Sequence, residues 1–161
     1  MTYYCILIDV EYGYWNILKT SAENKEIASS KFLDYFKHHI SHFLYFLNIE
    51  SEDFEESEDS LKKSNTLEEW KPSELTVSLL EFSDDGNYIG FVVDSYDEVL
   101  NALSLEASSE MDAVNKFMYR GFYFLYNFER SWDYQSANYW LNGVMSLGNL
   151  NIVAKDEITE I

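Results

Sequence analysis

The hydrophobic and polar positions follow an order that predicts two similar units, each built of two strands and a helix. Short apolar runs bounded by polar turn residues mark two strands in each unit. The four predicted strands cover 3–12, 14–21, 88–95 and 99–107. Apolar residues at helical spacing then follow over about 24–47 and about 110–130. We expect an α+β fold in which two long helices pack on antiparallel sheet.

Each predicted helix begins after residues that are suited to cap it. Ser21 precedes the first helix, and Ser108 and Ser109 precede the second. A hydroxyl can accept a hydrogen bond from an unpaired backbone N–H, and acidic residues in the first turn interact favourably with the helix dipole. The second helix is apolar on almost every side, so we expect it to be central in the fold or covered by a partner.

The two units correspond to each other along the sequence. A shift of 85 residues places residues 3–35 over 88–120 without a gap, and the strand, turn and helix signals then coincide. Eight pairs of residues are identical under this shift: Tyr3 and Tyr88, Asp9 and Asp94, Asn16 and Asn101, Leu18 and Leu103, Ala22 and Ala107, Ala28 and Ala113, Lys31 and Lys116, and Phe32 and Phe117. This correspondence predicts an internal duplication. The alternative is that two unrelated β-β-α segments obey the same patterning rules.

A block of acidic residues separates the two units. Residues 50–59 hold seven acids in ten positions, and such a block repels itself. We therefore interpret residues 50–74 as a mobile acidic linker between a first unit over 1–49 and a second unit over 75–161. The two units are expected to form one compact domain.

The second unit is expected to carry strands in addition to its β-β-α core. Residues 75–82 and 88–93 flank the turn sequence Ser-Asp-Asp-Gly-Asn, which predicts that they pair as a hairpin. Residues 139–154 contain glycines between short apolar runs and predict a second hairpin. The acidic residues that follow are expected to form a frayed end.

The composition adds a strong negative charge to this picture. The chain of 161 residues has 29 Asp and Glu against 11 Lys and Arg, which gives −18 at neutral pH. Such a chain is repelled by nucleic acid and by anionic membranes, and it is attracted to basic protein surfaces. Its 28 aromatic residues, 13 Tyr, 11 Phe and 4 Trp, supply large contact areas. The alternative is that the acidity serves solubility alone.

The acidic residues are concentrated in the second half of the chain. Between Lys71 and Lys116 there is no Lys, Arg or His. Uncompensated carboxylates raise the cost of folding by self-repulsion, which suggests that their field has a use. Nine of the acids in this interval are our candidate partner-binding residues: Glu81, Asp84, Asp85, Asp94, Asp97, Glu98, Glu106, Glu110 and Asp112. The alternative is that basic residues from elsewhere in the chain fold over this surface.

The sequence has a single cluster that is worth testing as a metal site. Asp34, His38 and His42 are spaced by four and would share one face of a helix, where they could hold Zn²⁺. The Glu of an HExxH motif is missing. We interpret these residues as a polar helix face and expect no metal and no cofactor.

Catalysis is not suggested by the remaining candidates. Cys5 lies in an apolar strand pattern, where a thiol is a small buried hydrophobic group with a raised pKa. Asp9 and Asp94 correspond in the repeat and could meet as a carboxylate pair, but each is more simply explained as the end of a strand. No GxSxG, Walker A or dinucleotide-binding glycine pattern occurs. We expect a protein that is not an enzyme.

The location of the protein is predicted from what its sequence lacks. The first residues do not combine a basic region with an apolar one, as a signal peptide does. The longest apolar stretch, 117–128, has about a dozen residues and is interrupted by Arg120, so it is too short to cross a bilayer. We expect a cytoplasmic protein, in the host cytoplasm if a phage encodes it.

These observations favour a non-enzymatic inhibitor that binds the basic, nucleic-acid-binding surface of another protein, and that does not itself bind nucleic acid or membranes. Small acidic DNA mimics that block CRISPR or restriction nucleases work in this way, and the likeness to them is one of size, acidity and residue usage. One alternative is an immunity protein that neutralises a nuclease toxin. Another is a phage accessory or assembly module that forms a homodimer through the aromatic helix around 119–126.

Overall fold

The computed structural model of the protein describes residues 1–46, 51–82, 85–93, 99–128 and 150–161. Within these ranges the chain forms three α-helices and two sheets, so the expected α+β class is confirmed. The chain divides into two compact units. The first combines Met1–Glu81 with Ile158–Ile161, and the second contains Phe82–Ser95 and Val99–Glu157.

The elements of the described residues agree closely with the β-β-α patterns in the sequence. In chain order they are β1 (Thr2–Asp9), β2 (Trp15–Ser21), α1 (Lys25–Phe46), α2 (Ser51–Lys63), β3 (Leu75–Glu81), β4 (Tyr88–Val93), β5 (Val99–Leu105), α3 (Glu110–Phe128), β6 (Leu150–Ala154) and β7 (Thr159–Glu160). A short 3-10 turn, Leu67–Glu69, lies between α2 and β3. No helix in the described ranges combines the length and the apolar character that crossing a bilayer requires.

In each unit the first strand of the β-β-α segment is central in its sheet. The first sheet has the order β3-β1-β2-β7, with β1 antiparallel to both β2 and β3 and with β7 parallel to β2. The second sheet has the order β5-β4-β6, with β4 antiparallel to both neighbours. β1 is a central strand that is buried on both faces. For this reason its apolar run is nearly continuous.

The core of the first unit forms between α1, α2 and the sheet. Phe32, Phe36 and Phe43 of α1 are buried together with Trp70, and the Phe36 ring lies 5.5 Å from the Phe43 ring and 5.7 Å from the Trp70 ring between centroids. Burying an aromatic or large aliphatic side chain contributes about 1.5–3 kcal/mol. The second unit has a smaller core in which Phe117 of α3 packs with apolar residues of its sheet.

The helix caps explain where α1 and α3 begin. The Oδ1 atom of Asn24 accepts a hydrogen bond from the N–H of Ile27 at 2.9 Å, and the Oγ of Ser109 accepts one from the N–H of Asp112 at 3.1 Å. The prediction of a serine cap for α3 is confirmed. The prediction of Ser21 as the cap of α1 is wrong, because Ser21 still pairs with Thr2 as the last residue of β2.

The β1–β2 and β4–β5 hairpins have the same register under the shift of 85 residues. Tyr3 pairs with Thr20 in the first, and Tyr88 pairs with Leu105 in the second. The correspondence holds over five successive pairs and ends at a bulge after Val92. The duplication stays a prediction, and this shared register is the geometry that favours it.

The interpretation of residues 50–74 as a mobile acidic linker is wrong. Ser51–Lys63 is the helix α2, which packs against α1. Leu61 is fully buried, and Trp70 is held in the core by a hydrogen bond from its Nε1 to the carbonyl oxygen of Ser57 at 3.3 Å. The acids are compatible with this helix because Glu55, Glu56 and Asp59 are exposed on its other sides.

The predicted pairing of residues 75–82 with 88–93 is also wrong. β3 pairs with β1 in the first sheet, and β4 belongs to the second sheet, so the acidic turn sequence between them connects two sheets. Much of the predicted 139–154 hairpin lies outside the described residues, and its described strand β6 pairs with β4. The expected frayed end is instead β7, which is joined to β2 and followed by a hydrogen bond from the N–H of Ile161 to the carbonyl oxygen of Lys19 at 2.9 Å.

Candidate partner-binding site

Three chain segments meet at one end of the second sheet. Tyr88 of β4 pairs with Leu105 on one side and with Ala154 on the other. The start of β4 and the ends of β5 and β6 are at the same end of the sheet. The residues before β4 therefore lie beside those after β5 and those after β6. The N–H of Lys155 donates to the carbonyl oxygen of Asn87 at 2.9 Å, which extends the pairing one step beyond the strands.

Asn87 and Gly86 hold two of these segments close together. The side-chain amide of Asn87 donates to the carbonyl oxygen of Ala107 and accepts from its N–H, both at 2.8 Å. A Cβ atom on Gly86 would lie 2.3 Å from the backbone carbon of Leu105, so only glycine allows this approach. As a result, Asp85 and Glu106 project from neighbouring segments.

The first turn of α3 brings two further carboxylates to this end. The Oδ2 of Asp112 accepts from the N–H of Ser108 at 2.9 Å and from its hydroxyl at 3.2 Å. The hydrogen bond from the backbone N–H of Ser108, assisted by Lys116, holds the pKa of the Asp112 carboxyl below its ordinary value. Asp112 is therefore ionised at neutral pH, and its neighbour Glu110 is exposed beside it.

We call this group of six carboxylates the acidic end. Five of them are exposed and Asp112 is partly buried. Its members are Asp85, Glu106, Glu110, Asp112, Asp156 and Glu157. They come from four segments of the chain, so the fold concentrates negative charge that is dispersed in the sequence.

Three basic side chains lie near the acidic end and offset part of its charge. Lys116 donates to the carbonyl oxygen of Glu106 at 2.7 Å and forms an ion pair with Asp112 at 3.2 Å. Lys155 donates to the hydroxyl of Ser104 at 2.7 Å, and Arg120 donates to the carbonyl oxygen of Ser104 at 3.5 Å. The alternative that basic residues from elsewhere cover this surface therefore holds in part. Six carboxylates against three cations leave an excess of three negative charges.

A groove with an exposed tyrosine adjoins the acidic end. It has a volume of about 380 Å³, its walls are mostly apolar, and its lining residues are Leu105, Glu106, Asn115, Lys116, Tyr119 and Arg120. The Tyr119 side chain is 67% exposed. Exposed aromatic side chains beside charged groups are typical of the residues that carry binding energy in protein interfaces.

The structure describes five of the nine acids predicted from the sequence. Four of them, Asp85, Glu106, Glu110 and Asp112, belong to the acidic end. Glu81 lies in β3 of the first unit, opposite Tyr3. The other four, Asp84, Asp94, Asp97 and Glu98, lie outside the described residues.

The sequence reasoning missed Asp156 and Glu157. Both follow Lys155 and lie beyond the interval without basic residues, so the charge pattern gave no reason to choose them. What brings them to the site is the pairing of β6 with β4, which joins Tyr88 to Ala154, 66 positions later in the chain. The available signal was the short apolar run of β6 followed by two acids, and it did not identify the partner strand.

Among the residues that were considered for catalysis or metal binding, the structure describes Cys5, Asp9, Asp34 and His38. Cys5 is fully buried, and burial raises the pKa of its thiol, as expected from its strand. Asp9 ends β1, and its carboxylate accepts hydrogen bonds from the backbone N–H groups of Glu11 and Tyr12. The Nδ1 of His38 lies 2.8 Å from the carbonyl oxygen of Asp34 on an exposed helix face. Within the described residues, no three His, Cys, Asp or Glu side chains are grouped as a metal site would require.

Comparison with protein families, with curated proteins and with solved structures found no match to this chain.

Proposed function

We propose that this protein is a non-catalytic inhibitor that binds the basic, nucleic-acid-binding surface of a target protein through the acidic end. One observation carries the proposal. Six carboxylates, five of them exposed, come together from four chain segments at one end of the second sheet. Grouped in this way, the carboxylates would stand where the phosphates of a nucleic acid otherwise bind.

The physical basis is electrostatic attraction supported by a local apolar contact. An overall charge of −18 steers the protein toward a basic surface and raises the rate of association. Charge alone gives weak, salt-sensitive binding, so an aromatic anchor is needed for affinity. Tyr119, in the groove next to Glu106, supplies such an anchor.

The setting that we propose is the cytoplasm, where a CRISPR, restriction or other defence nuclease is the first candidate target. A nuclease toxin is the second candidate target, and the protein would then be an immunity protein. The compact grouping of the acidic end favours this second candidate, because a small cluster suits a single active-site cleft. In both cases the protein binds another protein and not nucleic acid.

The proposal is tested by affinity capture with the tagged, full-length protein. Lysate of the source organism is passed over it, bound proteins are eluted in a salt gradient, and duplex DNA is added to a parallel column as a competitor. We expect a nucleic-acid-binding protein to elute at moderate salt and to be displaced by DNA. Retention of proteins that resist both salt and DNA would contradict the proposal.

A further inference from the structure

The tip of the β1–β2 hairpin presents two tyrosines to solvent. Tyr12 and Tyr14 are 53% and 54% exposed. Their ring centroids are 6.1 Å apart and the rings are tilted by 34°. Large aromatic side chains held side by side at a surface are characteristic of binding sites, because they offer wide contact area with few rotatable bonds.

The backbone under these rings is fixed by Asp9, which is buried and only 2% exposed. Its carboxylate accepts from the N–H of Glu11 at 3.0 Å and from that of Tyr12 at 3.2 Å. Its own N–H donates to the carbonyl oxygen of Tyr14 at 2.8 Å. The turn is completed by Gly13, whose φ of 69° is in the left-handed region that favours glycine. A loop that is ordered in advance loses less conformational entropy when it binds.

The hairpin tip lies at the same end of the first unit as several exposed carboxylates. The N–H of Val10 donates to the carbonyl oxygen of Glu74 at 3.0 Å, and the carboxylate of Glu74 accepts from the hydroxyl of Ser57 in α2 at 2.7 Å. α2 therefore reaches the same end of the sheet as the hairpin. Its exposed carboxylates within one turn of Ser57 are Glu55, Glu56 and Asp59. Glu11 adds another exposed carboxylate within the turn itself.

We propose that Tyr12 and Tyr14 form a docking surface for arginine side chains on a basic protein. Glu11 in the turn and the exposed carboxylates of α2 at the same end of the unit attract a positively charged partner, and the tyrosine rings select arginine within it. A guanidinium group is planar and weakly hydrated, so it stacks on an aromatic face more readily than the ammonium group of lysine does. This surface uses residues of the first unit only, and it is independent of the acidic end.

The test compares oligo-arginine and oligo-lysine peptides of equal length. Each labelled peptide is titrated with the full-length protein at about 0.15 M salt, where long-range attraction is largely screened, and binding is followed by fluorescence anisotropy. We expect the protein to prefer the arginine peptide, by about 2- to 5-fold for each ring that stacks. The double substitution Tyr12→Ala with Tyr14→Ala should remove this preference, and Tyr12→Phe with Tyr14→Phe should retain it.

Two controls make the outcome specific. Ile27→Ala removes an exposed apolar side chain elsewhere in the first unit and should leave the arginine preference unchanged. The variant Glu106→Lys, Asp156→Lys, Glu157→Lys reverses three of the six charges of the acidic end and should also retain the preference. The failure of one proposal is therefore visible separately from the failure of the other. Equal affinity for the two peptides would overturn the inference. A preference that survives Tyr12→Ala with Tyr14→Ala would overturn it too, as would self-association through these tyrosines in sedimentation velocity.

Discussion

Lys31 and Lys116 make the same hydrogen bond in the two units. Each donates from Nζ to a backbone carbonyl oxygen ten residues earlier, Lys31 to Ser21 and Lys116 to Glu106, at 2.7 Å in both cases. Each bond ties the first turns of a helix to the chain that leaves the preceding strand. The two units therefore share both the register of the hairpin and the contact between the helix and the preceding strand, made by equivalent residues.

Removing either lysine should weaken its own unit. We expect Lys31→Met and Lys116→Met each to lower the free energy of unfolding by about 0.5–1 kcal/mol, since the bonds are charge-assisted but exposed to solvent. The measurement is urea unfolding followed by circular dichroism. Lys63→Met, at the exposed end of α2, is the control and should stay within about 0.5 kcal/mol of the wild type. Equal effects of the control and the two test variants would contradict this account.

The acidic helix α2 should contribute to stability despite its charge. Leu61→Ala removes a fully buried side chain between α2 and the core, and we expect a loss of about 2–5 kcal/mol in the free energy of unfolding. The change can be followed by fluorescence, because Trp70 packs in the same core. Glu55→Ala, on the exposed side of α2, is the matched control. A loss below about 0.5 kcal/mol for Leu61→Ala would mean that the segment behaves as a linker after all.

The buried thiol of Cys5 should make stability fall at alkaline pH. Burial raises its pKa, so the folded protein keeps the thiol proton at a pH where the unfolded chain has lost it. The free energy of unfolding should therefore decline as the pH rises above about 8.5, by at most about 1.4 kcal/mol per pH unit from this group. Cys5→Ala lacks this contribution, and its stability should fall less steeply.

The measurement for Cys5 is urea unfolding of both proteins at several pH values between neutrality and pH 10. Tyr3, whose pKa is also raised by burial and by Glu81 and Glu26, is present in both proteins and cancels in the comparison. Parallel stability curves for the two proteins would contradict the prediction. Rapid reaction of the thiol with a maleimide in the folded protein would contradict it as well.

The sequence alone was sufficient to predict the strands and helices that depend on interactions between near neighbours in the chain. β1, β2, α1 and α3 begin and end close to their predicted positions because strand alternation, helical spacing and caps act between near neighbours. α2 was missed because Ser57 and Leu61, which are buried in this helix, include only one apolar side chain. The pairing of β3 with β1 was missed because strand partners distant in sequence leave no local signal.

The same reasoning applies to the acidic end. The interval without basic residues contains four of the six carboxylates of the acidic end: Asp85, Glu106, Glu110 and Asp112. It could not show that β6 would bring Asp156 and Glu157 beside them, or that Lys155 would come with them. Charge counts along a chain therefore predicted the sign of this surface and part of its membership, and the sheet topology determined the rest.

The most direct test of the central claim is the affinity of the wild type and of two charge-matched variants for the captured target, measured across a salt series. One variant carries Glu106→Lys, Asp156→Lys and Glu157→Lys, and the other carries Glu23→Lys, Glu26→Lys and Asp34→Lys, which are exposed acids of the first unit. The two variants have the same net charge. If the acidic end is the binding site, the first variant loses binding and its salt dependence, whereas the second binds nearly as the wild type does. If both variants weaken binding equally, only the overall charge matters and the acidic end is not a site.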